Sequence, residues 1–322
     1  MAPFFALSIP SLKFPIWGGT YLASWKKRHG QIPPELQQYN QEHQRFLGES
    51  WEVSSLFEGP SLIGERPIQE ILAAQELTYL IKFIDTSSHL SVQVHPRHTP
   101  ALGVMGKDEF WFVTHVEHGA GVYLGLKEDR DPEEFLARVK RGEHVADDLN
   151  FIPAHVGDTF AVPAGEVHAI GADITLLEVQ QISNITYRLW DWNRLDKNGQ
   201  PRDLHLQQAM SVLQYGRPLK DLCLPNYVTF AQNELSFLVD HEDFQIRPII
   251  LQAGQQLTLQ PWRKKALSVS ILAGEVSFKF TDPTTKRDTL QQGHPYQTYL
   301  ASPDMTPVTA YAAQATVMVL VG

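Results

Sequence analysis

The sequence has one cysteine, Cys223, in 322 residues. A single thiol excludes an intramolecular disulfide framework and fits a reducing compartment, so we expect a cytoplasmic protein. No apolar run approaches the roughly 20 residues that span a bilayer. The opening residues, MAPFFALSIPSLKFPIW, lack the basic start and apolar block of a secretory leader, and none is expected. Basic excess is missing too: 27 Lys and Arg stand against 36 Asp and Glu, a formal net charge of −9. The densest basic cluster, SWKKRHG, is short. Neither a nucleic acid nor a membrane is therefore expected as a partner. An acidic chain that takes a small anion must hold it with a few placed cations.

What the chain does have is β-type punctuation. Runs rich in Val, Ile, Phe, Tyr and Thr recur between Gly, Pro and Asp signals: TYLIKFID, FWFVTH, GVYLGL, DTFAVP, ITLLEVQ, FQIRPIIL and LSVSILAGEVSFKF. Their density predicts a mainly β fold of sandwich or barrel type. A few short helices interrupt it. RDPEEFLARVKRGE offers Asp131 as N-cap, Pro132 in the first turn and Gly142 as stop. RDLHLQQAMSVLQYG predicts a second helix from Asp203 to Gly216, and PPELQQYNQEHQRF a third. The helices and most histidines precede a seam near residue 235, and a smaller β-only block follows it.

Three stretches carry ligand chemistry. GDTFAVPAGEVHAIG sets Gly157, Pro163, Gly165 and His168 in the pattern G-x5-P-x-G-x2-H. Pro163 and Gly165 force a turn after a strand and deliver His168 to the start of the next. The pattern resembles the second signature motif of the cupin family, in which that histidine is a metal ligand. Ala172 stands in place of the family's later asparagine. A Pro-Gly hairpin with an incidental histidine is the plainer alternative. LSVQVHPRH ends a strand-like run in Gln93, His95 and Pro96. Residues i and i+2 share a strand face, so Gln93 and His95 would point together. The spacing resembles the H-x-H pair of the first cupin motif, with glutamine in the first place. In GKDEFWFV, Glu109 shares a face with Trp111 and Val113, and an inward carboxylate is costly unless paired or bound to a cation. Nitrogen and oxygen ligands without a thiolate suit Zn²⁺, and also Mn, Fe or Co. His115 and His118 read as loop residues.

A fourth stretch, EVQQISNITYRLWDWNR, puts Glu178 and Gln180 on one face and Arg188 after a strand-like NITY. An arginine there pairs with a carboxylate or faces an anionic ligand such as a phosphate, and both readings stay open.

In series, these segments resemble the type I mannose-6-phosphate isomerases in their short bacterial form. The likeness covers nearly the whole chain: IWGG (16–19), GESWEVS (48–54), LIKFIDTSSHLSVQVHP (80–96), GKDEFW (106–111), VPAGEVHAIG (162–171), EVQQISNITYRLWDWNR (178–194) and LHL (204–206). The resemblance implies two cupin-type domains of double-stranded β-helix, or jelly-roll, form. Residues 1–235 would be the catalytic metal-binding domain with helical insertions, and 236–322 a metal-free second cupin. It implies one Zn²⁺ per chain on Gln93, His95, Glu109 and His168, and a phosphosugar substrate. Arg188 matches the catalytic arginine, Lys107 and Lys82 match active-site lysines, and Glu178 matches an active-site glutamate. Ser91, Trp17 and Glu49 fall where the family lines its pocket. The implied reaction interconverts mannose 6-phosphate and fructose 6-phosphate through a cis-enediolate, in a monomer or homodimer. Glu178 is the first candidate for the base and Lys107 the second. The chain departs from the family in Asn184, where an aspartate is expected, and in a short segment between His95 and Glu109. A non-catalytic cupin that binds a sugar phosphate as sensor or scaffold is the alternative, and a metal-dependent cupin oxygenase a more distant one.

Overall fold

The computed structural model describes residues 3–33, 46–99, 101, 103–195, 199–233 and 236–322. Its strands form four antiparallel sheets stacked as two sandwiches. The first sandwich has a seven-stranded sheet in the order Cys223–Leu224, Thr159–Val162, Glu109–Val116, Ile174–Gln181, Tyr79–Asp85, Glu49–Val53, Ser11–Lys13. Facing it is a five-stranded sheet in the order Leu149–Pro153, Gly121–Leu126, His168–Ile170, Val92–Val94, Tyr187–Trp190. Ile84, Trp111, Val113 and Leu176 from one sheet meet Val122, Leu124 and Ile170 from the other. The second sandwich, built mostly from residues after 238, packs an eight-stranded sheet on a four-stranded one around Val269, Phe278, Tyr299 and Met318.

The central strand Ile174–Gln181 is buried at all eight positions. Its run, ITLLEVQQ, lacks polar alternation because both faces of its sheet are covered. One faces the first sandwich's interior. The other packs Tyr79, Phe83, Phe112 and Val179 against Phe244, Ile246, Leu300 and Val319 of the second sandwich. Tyr79 Oη lies 2.9 Å from Ala266 O, 2.8 Å from Ser268 Oγ and 3.0 Å from Val321 O, which pins the sheets together. The strand Phe5–Ile9 pairs with Thr298–Ala301, so by sheet membership the N-terminal strand goes with the C-terminal block. A seam at residue 235 alone does not separate the two sandwiches.

The helix Pro132–Lys140 forms where its caps place it, with the Asp131 carboxylate accepting from Glu133 N at 2.8 Å. It lays Phe135 and Val139 on the outer face of the five-stranded sheet. The second expected helix is shorter than its sequence pattern, spanning Leu206–Val212 rather than Asp203 to Gly216. Residues 203–205 are instead tied to the neighbouring strand: His205 N donates to Arg188 O at 2.8 Å, and Arg188 donates to Asp203 O. At the other end, Gln214 N donates to Gly165 O, which draws the chain along the 163–165 turn. The third expected helix, within 33–46, lies at residues 34–45 outside the described residues. The helix Tyr21–Arg28 was not expected. His115 lies within the strand Glu109–Val116, stacked on Tyr21, rather than in a loop.

A fully buried ion pair lies between the two sandwiches. Lys26 and Glu52 are both fully buried with Nζ and Oε1 2.5 Å apart. Burial lowers the lysine and raises the glutamate, and each partly offsets the other. Lys26 also donates to Tyr296 O, and Ser50 donates to Glu52, so the pair joins the helix Tyr21–Arg28, the seven-stranded sheet and the second sandwich. Breaking a buried pair strands a charge, whereas replacing both members with apolar groups is often neutral. Lys26→Met is expected to cost about 3–5 kcal/mol in urea unfolding. Adding Glu52→Leu in the same chain is expected to recover most of that loss.

Candidate metal centre and active site

Strand register sets the site. Gln93 pairs with His168 on one side and with Arg188 on the other, so the three lie in a row across the five-stranded sheet. Across the seven-stranded sheet, Trp111, Glu178, Lys82 and Trp51 form a second row, and Glu109 pairs with Gln180. His95 follows the strand Val92–Val94 directly, where Pro96 ends it. The chain then reverses: Thr99 and Val104 bond to each other, and Lys107 N donates to Pro96 O at 3.3 Å. The short segment between His95 and Glu109 thereby sets Lys107 beside both. Before His168, Gly165 takes φ +91°, where a Cβ would meet Val212 O at 2.9 Å. Glycine permits both the backbone angle and the close approach.

His95, Glu109 and His168 are each about 1% exposed, with their ligand atoms all within 4.8 Å of one another. His95 Nε2 lies 3.1 Å from Glu109 Oε1, and His168 Nε2 lies 3.9 Å from Oε2. The Gln93 amide is 3.3 Å from His168 Nε2. Each imidazole has Nδ1 on a backbone carbonyl, His95 on Ile185 O at 2.8 Å and His168 on Glu166 O at 2.9 Å. A carbonyl only accepts, so Nδ1 carries the proton and Nε2 keeps its lone pair toward Glu109. Burial, with the Lys107 ammonium nearby, pushes His95 down, and burial pushes His168 down to about 3. Both rings are therefore neutral.

Burial alone would raise the Glu109 carboxyl, but the Lys107 ammonium, 2.6 Å away, opposes it most strongly, and the carboxyl is held well below the usual range. Both its oxygens are buried, and neither accepts a well-directed hydrogen bond. A buried carboxylate without such partners, facing two imidazole lone pairs and an amide, fits a divalent cation of the borderline class.

Beside this cluster opens a cleft of about 130 Å³. Trp17, Glu49, Lys82, Ser91, Gln93, Lys107, Glu178 and Arg188 line it. These are eight of the eleven expected site residues; the other three, His95, Glu109 and His168, do not line the cleft but touch its Gln93 and Lys107. Glu178 is pushed up, first by burial and then by the Glu109 charge. Its Oε2 accepts from Trp111 Nε1 at 3.2 Å, and its Oε1 lies 3.2 Å from Lys82 Nζ. Burial would lower Lys82, but Glu178, Glu49 and Glu109 outweigh it, so the ammonium stays charged. The cleft also includes residues that sequence reasoning did not place there: Ile84, Leu90, Thr186 and Arg202. Arg202 is held by Asp191, with Nε 2.7 Å from Oδ2, and Arg194 shares the same carboxylate. No local pattern signals Arg202, because its anchor lies eleven residues back in sequence. Asn184, the noted departure, lines the cleft as well.

The two sandwiches and the buried histidine–glutamate set at the edge of a cleft define a cupin-type protein with a candidate metal centre. The comparisons narrow the class. No protein-family model matches the chain. The mannose-6-phosphate isomerase of Streptococcus mutans is 33% identical over 281 residues, which cover 81% of this chain and 82% of that one. The structure of the mannose 6-phosphate isomerase from Bacillus subtilis superposes over 100% of both chains, with TM-score 0.75 and 22% identity. A mannose 6-phosphate isomerase solved with bound zinc and yttrium matches over 98% of both chains, with TM-score 0.65 and 14% identity. The chain belongs to the mannose-6-phosphate isomerase family, and it is an isomerase.

Proposed function

We propose that the protein interconverts mannose 6-phosphate and fructose 6-phosphate, with one zinc held by Gln93, His95, Glu109 and His168. The observation that carries this reading is the buried Glu109 carboxylate facing two neutral imidazoles, beside a cleft that also holds Glu178, Lys82 and Arg188. Zinc bound there would polarise the sugar carbonyl and offset charge that develops on the adjacent oxygens.

The remaining work falls to the chain's own residues. Glu178 acts as the base: its raised carboxyl is better matched to proton transfer near neutral pH than an ordinary glutamate. It removes the proton on C2 of the opened aldose, leaving the electron pair of that C–H bond in a cis-enediolate. The proton returns to C1, and the hydroxyl proton passes from O2 to O1. The sugar keeps its composition, and no co-reactant is consumed. Lys82 stays charged beside Glu178 and limits the charge left in the cleft when the base is ionised. Arg188, on the opposite sheet, supplies the cation an acidic protein needs for a phosphosugar. Its Nε is buried with no partner among the described residues, which leaves a donor for a phosphate or enediolate oxygen. Lys107 holds the Glu109 carboxylate ionised.

Two outcomes are expected. In a coupled assay, purified protein converts mannose 6-phosphate to fructose 6-phosphate in proportion to bound zinc, and chelation or His95→Ala abolishes it. Turnover that survives complete zinc removal would overturn the metal assignment. Glu178→Gln is expected to lower kcat about 10²- to 10⁴-fold with little change in KM, as loss of a general base does. Wild-type kcat in that variant would move the role to Lys107.

A further inference from the structure

The strand that begins with Glu109 is held from outside its own sandwich. Asp108, one residue earlier, makes four hydrogen bonds, one of them at its backbone O, which accepts from Gln181 N at 3.2 Å. Its N–H donates to Gln181 Oε1 at 3.0 Å, its Oδ1 accepts from Ala164 N at 2.6 Å, and its Oδ2 lies 3.2 Å from His241 Nε2. Ala164 belongs to the Pro163–Gly165 turn that launches His168, and Gly165 N donates to His95 O at 2.9 Å. His241 and Asp243 form the turn after the strand Val239–Asp240, at the edge of the second sandwich. Asp243 Oδ2 accepts from Gln181 Nε2 at 2.7 Å, and Asp243 N donates to His241 Nδ1 at 3.1 Å. The loop of bonds closes: Asp108, His241, Asp243, Gln181 and back to Asp108.

The histidine's tautomer follows. Nδ1 accepts a backbone N–H, so Nε2 bears the proton and donates to Asp108. Both ring nitrogens are engaged, and the grouping of His241 with Glu242 and Asp243 is accounted for without an ion. The ring is fixed in plane by stacking on buried Phe244, with centroids 4.7 Å apart and planes at 21°.

We propose that His241 is a positioning residue for the metal centre. Through Asp108, the second sandwich sets the approach of Glu109 to the 163–168 turn, and so to His168 and His95. The geometry gives the C-terminal block a part in catalysis without a ligand of its own. This rests on the reading of Glu109, His95 and His168 as metal ligands, and the test separates the two.

His241→Phe keeps the ring, its volume and its stacking on Phe244 but removes the donor to Asp108. His241→Gln restores a donor at a similar reach. Zinc affinity is measured by chelator competition at a temperature where all proteins are folded, alongside kcat and KM. His241→Phe is expected to raise the zinc dissociation constant about 10- to 100-fold, as loss of an outer-shell partner does. It is expected to lower the kcat of the zinc-saturated enzyme with KM within about twofold of wild type. His241→Gln is expected to recover most of both. If His241→Phe does not fold, His241→Leu carries the test, since it also removes the donor to Asp108. A variant that loses melting temperature but binds zinc within about threefold of wild type shows a merely structural contact and overturns the proposal. A wild-type protein that takes up no zinc overturns the site reading itself, and this inference with it.

Discussion

The structure turns on one buried carboxylate. Glu109 lies at the start of a strand with both oxygens out of water, and an ionised carboxylate in that position needs compensating charge. Much of the local arrangement answers that need. Lys107 reaches its oxygen at 2.6 Å, and the short reversal after His95 brings that lysine into range. Two imidazoles present lone pairs rather than protons, because backbone carbonyls hold their other nitrogens. Strand register places Gln93 opposite His168 on the facing sheet. An ionised carboxylate among neutral ligands makes chemical sense when a cation completes the set. The same negative charge helps raise Glu178 on the neighbouring strand, which links the candidate metal centre to the candidate base.

The seven-stranded sheet carries this chemistry because both its faces are covered. One face supplies Glu178 and Lys82 to the cleft and Glu109 to the cluster beside it, and the other is the core shared with the second sandwich. The rigidity of the site is therefore borrowed from contacts on the far side of the sheet. Tyr79, the Lys26–Glu52 pair and the strand Phe5–Ile9 all tie that far side to residues beyond 238. The second sandwich has no part in the histidine–glutamate cluster, yet it sets the plane on which Glu109 stands.

Features that depend on local spacing were legible in the sequence. The strand runs, the Asp131 cap, the i, i+2 relation of Gln93 and His95 and the Pro-Gly turn before His168 all follow from neighbouring residues. The clustering of Gln93, His95, Glu109 and His168 was legible only because three motifs occur together. What required distant partners was not. The helix expected from Asp203 lost its first turn to hydrogen bonds with Arg188. Local sequence reads His115 as a loop residue, yet it lies in the strand Glu109–Val116 and stacks on Tyr21. Arg202 enters the cleft on an anchor at Asp191, and His241 reaches Asp108 across 133 residues of sequence. The exchange of Phe5–Ile9 into the C-terminal sheet leaves no trace in composition or periodicity.

The central claim is that Gln93, His95, Glu109 and His168 surround a single zinc ion. X-ray absorption at the zinc edge, on protein loaded with one equivalent of zinc, tests it most directly. The account predicts tight binding of one ion per chain, a shell of nitrogen and oxygen only, scattering from two imidazoles, and loss of one imidazole in His168→Ala. A sulfur ligand, or a spectrum unchanged by that substitution, would place the metal elsewhere and contradict the account.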